Sequence, residues 1–212
     1  MNAGLFDLTG KNTLVTGGAQ GLGRMIAEGL LRAGATVAIT SRKADICEAA
    51  ASEMAALGKC IALPADLSTP EAAVDLAQRY RETVGGTLHV LVNNAGKTWG
   101  GTVDTFPDKA WPGVMMVNVQ TPFTLVRELL PELTAAGTPD DPARVINIGS
   151  IAGATTAKLS AYSYSASKAA VHMLSRDLAG DLADRNINVI ELTGALRLRQ
   201  PRRSRPDQST CQ

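Results

Sequence analysis

Two tyrosines and a lysine share the heptapeptide YSYSASK, Tyr162 to Lys168, and chemistry needs only one of the tyrosines. Residues four apart on a helix lie on one face, so Tyr164 and Lys168 project together. Tyr162 is six residues from Lys168 and, at about 100° per residue, falls well off that face. It is left to pack or to line a pocket. A free phenol keeps its proton to about pH 10, and an ammonium beside it favours the phenolate. Such a couple can give a proton to a carbonyl oxygen while hydride reaches the carbon, and can take it back in reverse. Alone, YxxxK also describes an ordinary surface pair, so its weight depends on the elements that hold it.

Those elements alternate. Short apolar runs at 12–16, 35–40, 59–64, 88–93, 143–149 and 187–192 read as strands, most without strict alternation, as expected where both faces are buried. Amphipathic stretches at about 21–33, 44–57, 70–84, 108–135 and 161–184 read as helices. Ser68-Thr69-Pro70-Glu71 is a cap followed by a proline in the first turn, and Gly34, Gly58 and Gly85 stand where helices should stop. Strand and helix in alternation predict a parallel sheet covered on both faces. Ligands of such sheets bind beyond the carboxyl ends of the strands, where strand order reverses.

The residues after each strand fit that expectation. TGGAQGLG, Thr16 to Gly23, joins the first strand to a helix, and Gly17, Gly21 and Gly23 allow a tight turn and a close backbone approach. The helix, opening at Gly21 and Leu22 behind Gln20, points free N–H groups and its positive end at an anion. The second strand ends in Thr40, Ser41 and Arg42 rather than in the acidic residue that meets a free ribose hydroxyl. A guanidinium matches a 2′-phosphate in shape and charge, so NADP is expected over NAD; the alternative is a solvated arginine at a helix start. Asp66 either accepts a hydrogen bond from an adenine amino group, with Leu67 beside the ring, or caps the next helix. Asn93 to Gly96, NNAG, follows the fourth strand: Ala95 and Gly96 let backbone lie close to a cofactor, and Asn93 is expected to be structural as well as cofactor-facing. The fifth strand ends at Ser150, whose hydroxyl faces the same rim. Trp99 either walls a substrate mouth or packs on the surface.

The remaining composition narrows the function classes. The 212 residues fit one domain, 45% hydrophobic, with formal net charge +1. That total hides a basic tail: five arginines and one aspartate follow Leu192. Cys47, Cys60 and Cys211 show no ligand spacing and no disulfide framework, the N-terminus has no signal-peptide pattern, and no apolar run approaches the length of a membrane span. A soluble, cytoplasmic protein with no metal and no membrane partner is expected. The tail alone argues weakly for nucleic acid, because no basic body or aromatic platform supports it.

Taken together, TGGAQGLG, DLS, NNAG, Asn118 in MMVNVQ, Ser150 and YSASK resemble the short-chain dehydrogenase/reductase family over residues 8–190, in family order and near-family spacing. NNAGKTWG and ARVINIGSIAG are similar to NADPH-dependent 3-oxoacyl reductases associated with rhamnolipid synthesis. The resemblance implies a doubly wound Rossmann sheet, a carbonyl or alcohol substrate that includes acyl thioesters, and a homo-oligomer paired through the helices at 108–135 and 161–184. It also implies roles: Ser150 bonds the substrate oxygen, Tyr164 transfers the proton, Lys168 holds the nicotinamide ribose, and Asn118 positions a water in a proton relay with Lys168. Without the family, a mid-helix Asn118 would pass as incidental.

The chain departs from the family after the sixth strand. No Pro-Gly turn, substrate-loop helix or seventh strand follows. Residues 1–192 are therefore read as the dinucleotide-binding domain and 193–212 as a disordered basic tail of the kind an altered C-terminus would give. The sixth strand is then expected to be an open edge, and the competing function is a weak or inactive relative that binds nucleotide or a partner subunit without turnover.

Overall fold

The computed structural model describes residue 4, residues 6–156 and residues 160–193. Six parallel strands run β1 (Asn12–Val15), β2 (Thr36–Ile39), β3 (Cys60–Ala62), β4 (Val90–Asn93), β5 (Ala143–Ile148) and β6 (Ile187–Leu192), in the sheet order β3-β2-β1-β4-β5-β6. Strand order reverses between β1 and β4, so their carboxyl ends open the crevice between them. The helices are α1 (Gly21–Arg32), α2 (Ala44–Met54), α3 (Pro70–Thr83), α4 (Ala110–Met115), α5 (Thr121–Glu128), α6 (Leu130–Ala136) and α7 (Tyr162–Leu182).

Alternate residues of β1 to β5 enter opposite cores. Leu14, Ala38, Leu91 and Val145 pack with Leu76 and Tyr80 of α3, Leu125 of α5, Leu133 of α6 and Leu178 of α7. Val15, Val37, Ile39, Val90 and Val92 pack with Ala27 and Leu31 of α1 and with Ala50 and Met54 of α2. Two buried faces on these five strands explain why their runs read as nearly unbroken hydrophobic stretches. The doubly wound parallel sheet expected from the sequence is therefore the fold. Residues 194–212, the bulk of the expected basic tail, lie outside the described residues; among the described ones β6 is an outer strand, with Ile190 and Leu192 exposed.

One expectation needs correction. Residues 108–135 are not a single helix. Pro122 has no N–H to give the carbonyl of Asn118 four residues back, and the turn widens to a π-turn over Met116–Gln120, closed by Thr121 N–H bonding to Met116 O. Pro131 acts likewise on Arg127, and the chain breaks again at Leu129 between α5 and α6. The wider turn sets Asn118 into the interior, 2% exposed, at the kind of helical irregularity that recurs at functional sites.

A polar seam crosses the apolar interior from β4 to α7. Asn93 Nδ2 donates to Asn147 Oδ1 (2.8 Å), Asn147 Nδ2 donates to Ser175 Oγ (2.9 Å), and Ser175 Oγ donates to Val171 O (2.8 Å). All three side chains are buried. Ser175→Ala strands the Asn147 amide and should destabilise the fold by about 1–3 kcal/mol. A thermal melt should then shift down by about 2–4 °C per kcal/mol; an unchanged melt would show the seam to be idle.

Candidate active site

The crevice is built first by two loops that lock together at the strand-order reversal. Gly17 and Gly21 adopt φ +65° and +56°, which let the chain turn sharply from β1 into α1. Thr16 Oγ1 accepts the backbone N–H groups of Asn94 (3.0 Å) and Ala95 (2.9 Å), while Asn94 Nδ2 donates to Thr16 O (2.9 Å) and Gly17 O (3.2 Å). The packing leaves no room for a side chain at Gly23: a Cβ there would lie 2.2 Å from Gly17 O and 2.4 Å from Asn94 Nδ2. Sequence reasoning treated Asn94 only as one letter of NNAG. Its lock on the glycine loop joins residues 78 apart, a pairing that local spacing cannot reveal.

Between these loops and the end of β2 lies a cavity of about 490 Å³. Of the residues expected to hold a cofactor, Gly17, Gln20, Ser41, Arg42, Asp66, Leu67, Ala95 and Gly96 line it, joined by Thr40, Asn94 and Lys97. Gly21, Leu22 and Gly23 do not line it; they form the opening turn of α1 behind the loop. Asn93 is also off the cavity wall, its side chain turned to Asn147 within the sheet. The alternatives for Asp66 separate: the N-cap of α3 is Thr69, whose side chain accepts Ala72 N–H at 3.3 Å, and Asp66 is exposed at the cavity. Leu67 buries its side chain in the core, and its carbonyl accepts Thr121 Oγ1–H at 2.9 Å.

The tyrosine–lysine couple stands at the same rim, one strand further along the sheet. Lys168 is 6% exposed, its Nζ donates to Ile148 O at the end of β5 (2.6 Å), and it lies 5.7 Å from the centre of the Tyr164 ring. Burial pushes the Lys168 ammonium below the ordinary lysine range, and the charge of Glu191 on β6 opposes that shift. Tyr162 turns away: it is 40% exposed and meets Phe106 edge-on at 5.1 Å. Ser150 Oγ accepts Ala152 N–H (3.2 Å), which leaves its own proton free to donate. Trp99 is partly exposed just beyond the fourth strand's loop.

Asn118 joins the two halves. Its Oδ1 accepts Lys97 N–H (2.7 Å), and its Nδ2 donates to Lys97 O (2.9 Å) and to Ser167 Oγ (2.8 Å). Lys97 lines the cavity and Ser167 immediately precedes Lys168, so a buried amide ties the cavity wall to the helix of the couple.

Comparison with known proteins places this arrangement. Residues 11–197 match the family described as short chain dehydrogenase. A Pseudomonas aeruginosa protein named rhamnolipids biosynthesis 3-oxoacyl-[acyl-carrier-protein] reductase is 47% identical over 184 residues, covering 87% of this chain and 72% of that one. An Escherichia coli 5-keto-D-gluconate 5-reductase is 36% identical, covering 87% and 71%. The solved Pseudomonas aeruginosa RhlG/NADP active-site complex superposes with a TM-score of 0.86 at 46% identity, covering 89% of this chain and 73% of that chain. A gluconate 5-dehydrogenase from Burkholderia cenocepacia, solved in complex with NADP and tartrate, gives 0.82 at 26% identity, covering 91% and 74%. With its glycine loop, its NNAG turn and its Tyr164–Lys168 helix in this fold, the chain belongs to the short-chain dehydrogenase family of oxidoreductases.

Proposed function

We propose that the chain is an NADPH-dependent reductase that converts the keto group of a 3-oxoacyl thioester to a secondary alcohol. The observation that carries this reading is the buried Lys168 ammonium beside the Tyr164 ring, tied through Asn118 to the cavity that Gly17, Arg42 and Asp66 line. The names of the Pseudomonas relative and of its NADP complex support the substrate class and the cofactor.

The residues present fit the cofactor. Gly17 lines the cavity, and Gly23, where a Cβ would strike Gly17 O and Asn94 Nδ2, lets the loop fold tightly enough to offer backbone N–H groups to a pyrophosphate. Ser41, Arg42 and Asp66 all line the cavity, which supports Arg42 and Ser41 meeting a 2′-phosphate and Asp66 accepting from an adenine amino group. When bound, the reduced nicotinamide supplies hydride to the carbonyl carbon. Ser150 would orient the carbonyl by donating a hydrogen bond to its oxygen while keeping its own proton. Tyr164 transfers its phenolic proton to that oxygen as charge develops there. Lys168 uses one N–H on Ile148 O and keeps two, for the ribose hydroxyls and for steadying the phenolate left behind. The replacement proton would return to Tyr164 through Lys168 from a water that Asn118 positions.

The active unit is residues 1–192, and it assembles with copies of itself: Trp111, Phe123 and Met173 expose apolar surface on the α4, α5 and α7 helices that would pair. The cytoplasm is the working compartment. Cys47 and Cys60 are free thiols, and no helix among the described residues is long and apolar enough to cross a membrane.

A second reading, nucleotide binding with little turnover, is favoured by the outer position of β6 with Ile190 and Leu192 exposed. NADPH oxidation with acetoacetyl-coenzyme A separates the two: turnover supports the first, and NADPH binding without turnover supports the second. Tyr164→Phe should lower kcat by about 10²–10⁴-fold while the NADPH Kd measured by fluorescence changes little; retained turnover would remove Tyr164 from the chemistry. Arg42→Ala should weaken NADPH binding by about tenfold, the scale of one charge-assisted hydrogen bond, and leave NADH binding nearly unchanged. Equal losses for both cofactors would contradict the 2′-phosphate role.

A further inference from the structure

We infer that Ser167 is a positioning residue for Tyr164, its hydroxyl passing the grip of Asn118 on to the first turn of α7. The inference rests on the proposed reduction, because Tyr164 is the proton donor there. Ser167 is 0% exposed, and its Oγ has two partners: it accepts Asn118 Nδ2–H at 2.8 Å and donates to Tyr164 O at 2.7 Å.

The direction of this chain is fixed by elementary donor and acceptor chemistry. Lys97 N–H can only donate, so the Asn118 atom facing it at 2.7 Å must be the carbonyl oxygen. The other end of the amide is then the NH₂ group, with two protons: one goes to Lys97 O and one to Ser167 Oγ. A serine hydroxyl has one proton. With its oxygen already accepting from Asn118, that proton is directed to Tyr164 O. Lys97 backbone, Asn118 side chain, Ser167 hydroxyl and Tyr164 backbone therefore form one polarised line, with both linking side chains buried.

A serine bonding back to a carbonyl three residues earlier is common in helices and by itself signifies little. Here the same oxygen also receives a side chain 49 residues away, so the bond is no longer local. The start of α7 gives this line a task. Its N-cap, Ala161, has no side-chain cap, and Tyr162 and Ser165 face outward or to partial exposure. Among the described residues, Asn118 through Ser167 supplies a side-chain hold on the turn that carries Tyr164. Its far end is Lys97, on the wall that lines the cavity. The distance from that wall to the phenol is thus set by a line whose middle link is Ser167.

Hydride and proton transfer tolerate little misplacement of the donor. In Ser167→Ala, kcat for NADPH and acetoacetyl-coenzyme A should fall about tenfold or more, with KM and Kd for NADPH within about twofold of wild type. The isotope effect with 4-deuterated NADPH should rise as chemistry becomes slower than release. In an Asn118→Ala background the same substitution should add less than about twofold, because the line is already cut. Should Ser167→Ala not fold, Ser167→Cys, of similar size but a weaker donor, takes its place, with a smaller kcat loss and unchanged NADPH binding expected. Wild-type kcat in these variants would overturn the role, as would loss of NADPH affinity in step with kcat, the mark of general loosening. Wild-type protein that binds NADPH but reduces no 3-oxoacyl thioester would instead sink the functional reading on which the role depends.

Discussion

The buried ammonium of Lys168 is the constraint around which the site is arranged. A charge removed from water without a partner is costly, and this one is met by a backbone carbonyl, Ile148 O, rather than by a carboxylate in direct contact. Such a contact requires α7 to lie close against the end of β5. Gly153 permits that: a Cβ there would lie 2.6 Å from the Lys168 carbonyl carbon, so only glycine lets the turn after Ser150 rest on the helix backbone. The register of β5, the turn from Ser150 to Gly153 and the face of α7 are thereby coupled, and the Tyr164 ring follows from them. An interior cation held this way makes sense as chemistry, since packing alone would be better served by an apolar residue.

The two halves of the site come from different parts of the sheet and are joined by side-chain amides, those of Asn118 and Asn147 buried and that of Asn94 half-buried. Asn94 locks the glycine loop to the end of β4, Asn147 bridges β4 to α7 through Asn93 and Ser175, and Asn118 bridges the loop after β4 to Ser167. An amide suits each place because it both donates and accepts, and so can satisfy two backbone or side-chain groups at once. Together these bridges fix the cavity wall against the helix of the couple, with no charged pair between them among the described residues.

Much of this was legible in the sequence. The strand–helix alternation gave the parallel sheet, and NTLVT, LHVLVN and ARVINIG emerge as β1, β4 and β5 with boundaries shifted by one or two residues. The pairing of Tyr164 with Lys168 followed from helical spacing, and Tyr162 is indeed turned aside onto Phe106. What stayed hidden shares one cause: partners far apart in the chain. Asn94 with Thr16, Asn118 with Lys97 and Ser167, and Asn147 with Ser175 have no local signature. The break of the 108–135 segment was open to view in Pro122 and Pro131, which lack the N–H that an unbroken helix needs there.

A crystal structure with NADP bound tests the central claim most directly. Tyr164 Oη and Lys168 Nζ should both lie within hydrogen-bond distance, about 3 Å, of the nicotinamide ribose, with the adenosine end in the cavity by Arg42 and Asp66. A nicotinamide ribose seated elsewhere, with that couple turned away from it, would contradict the assignment of proton transfer to Tyr164.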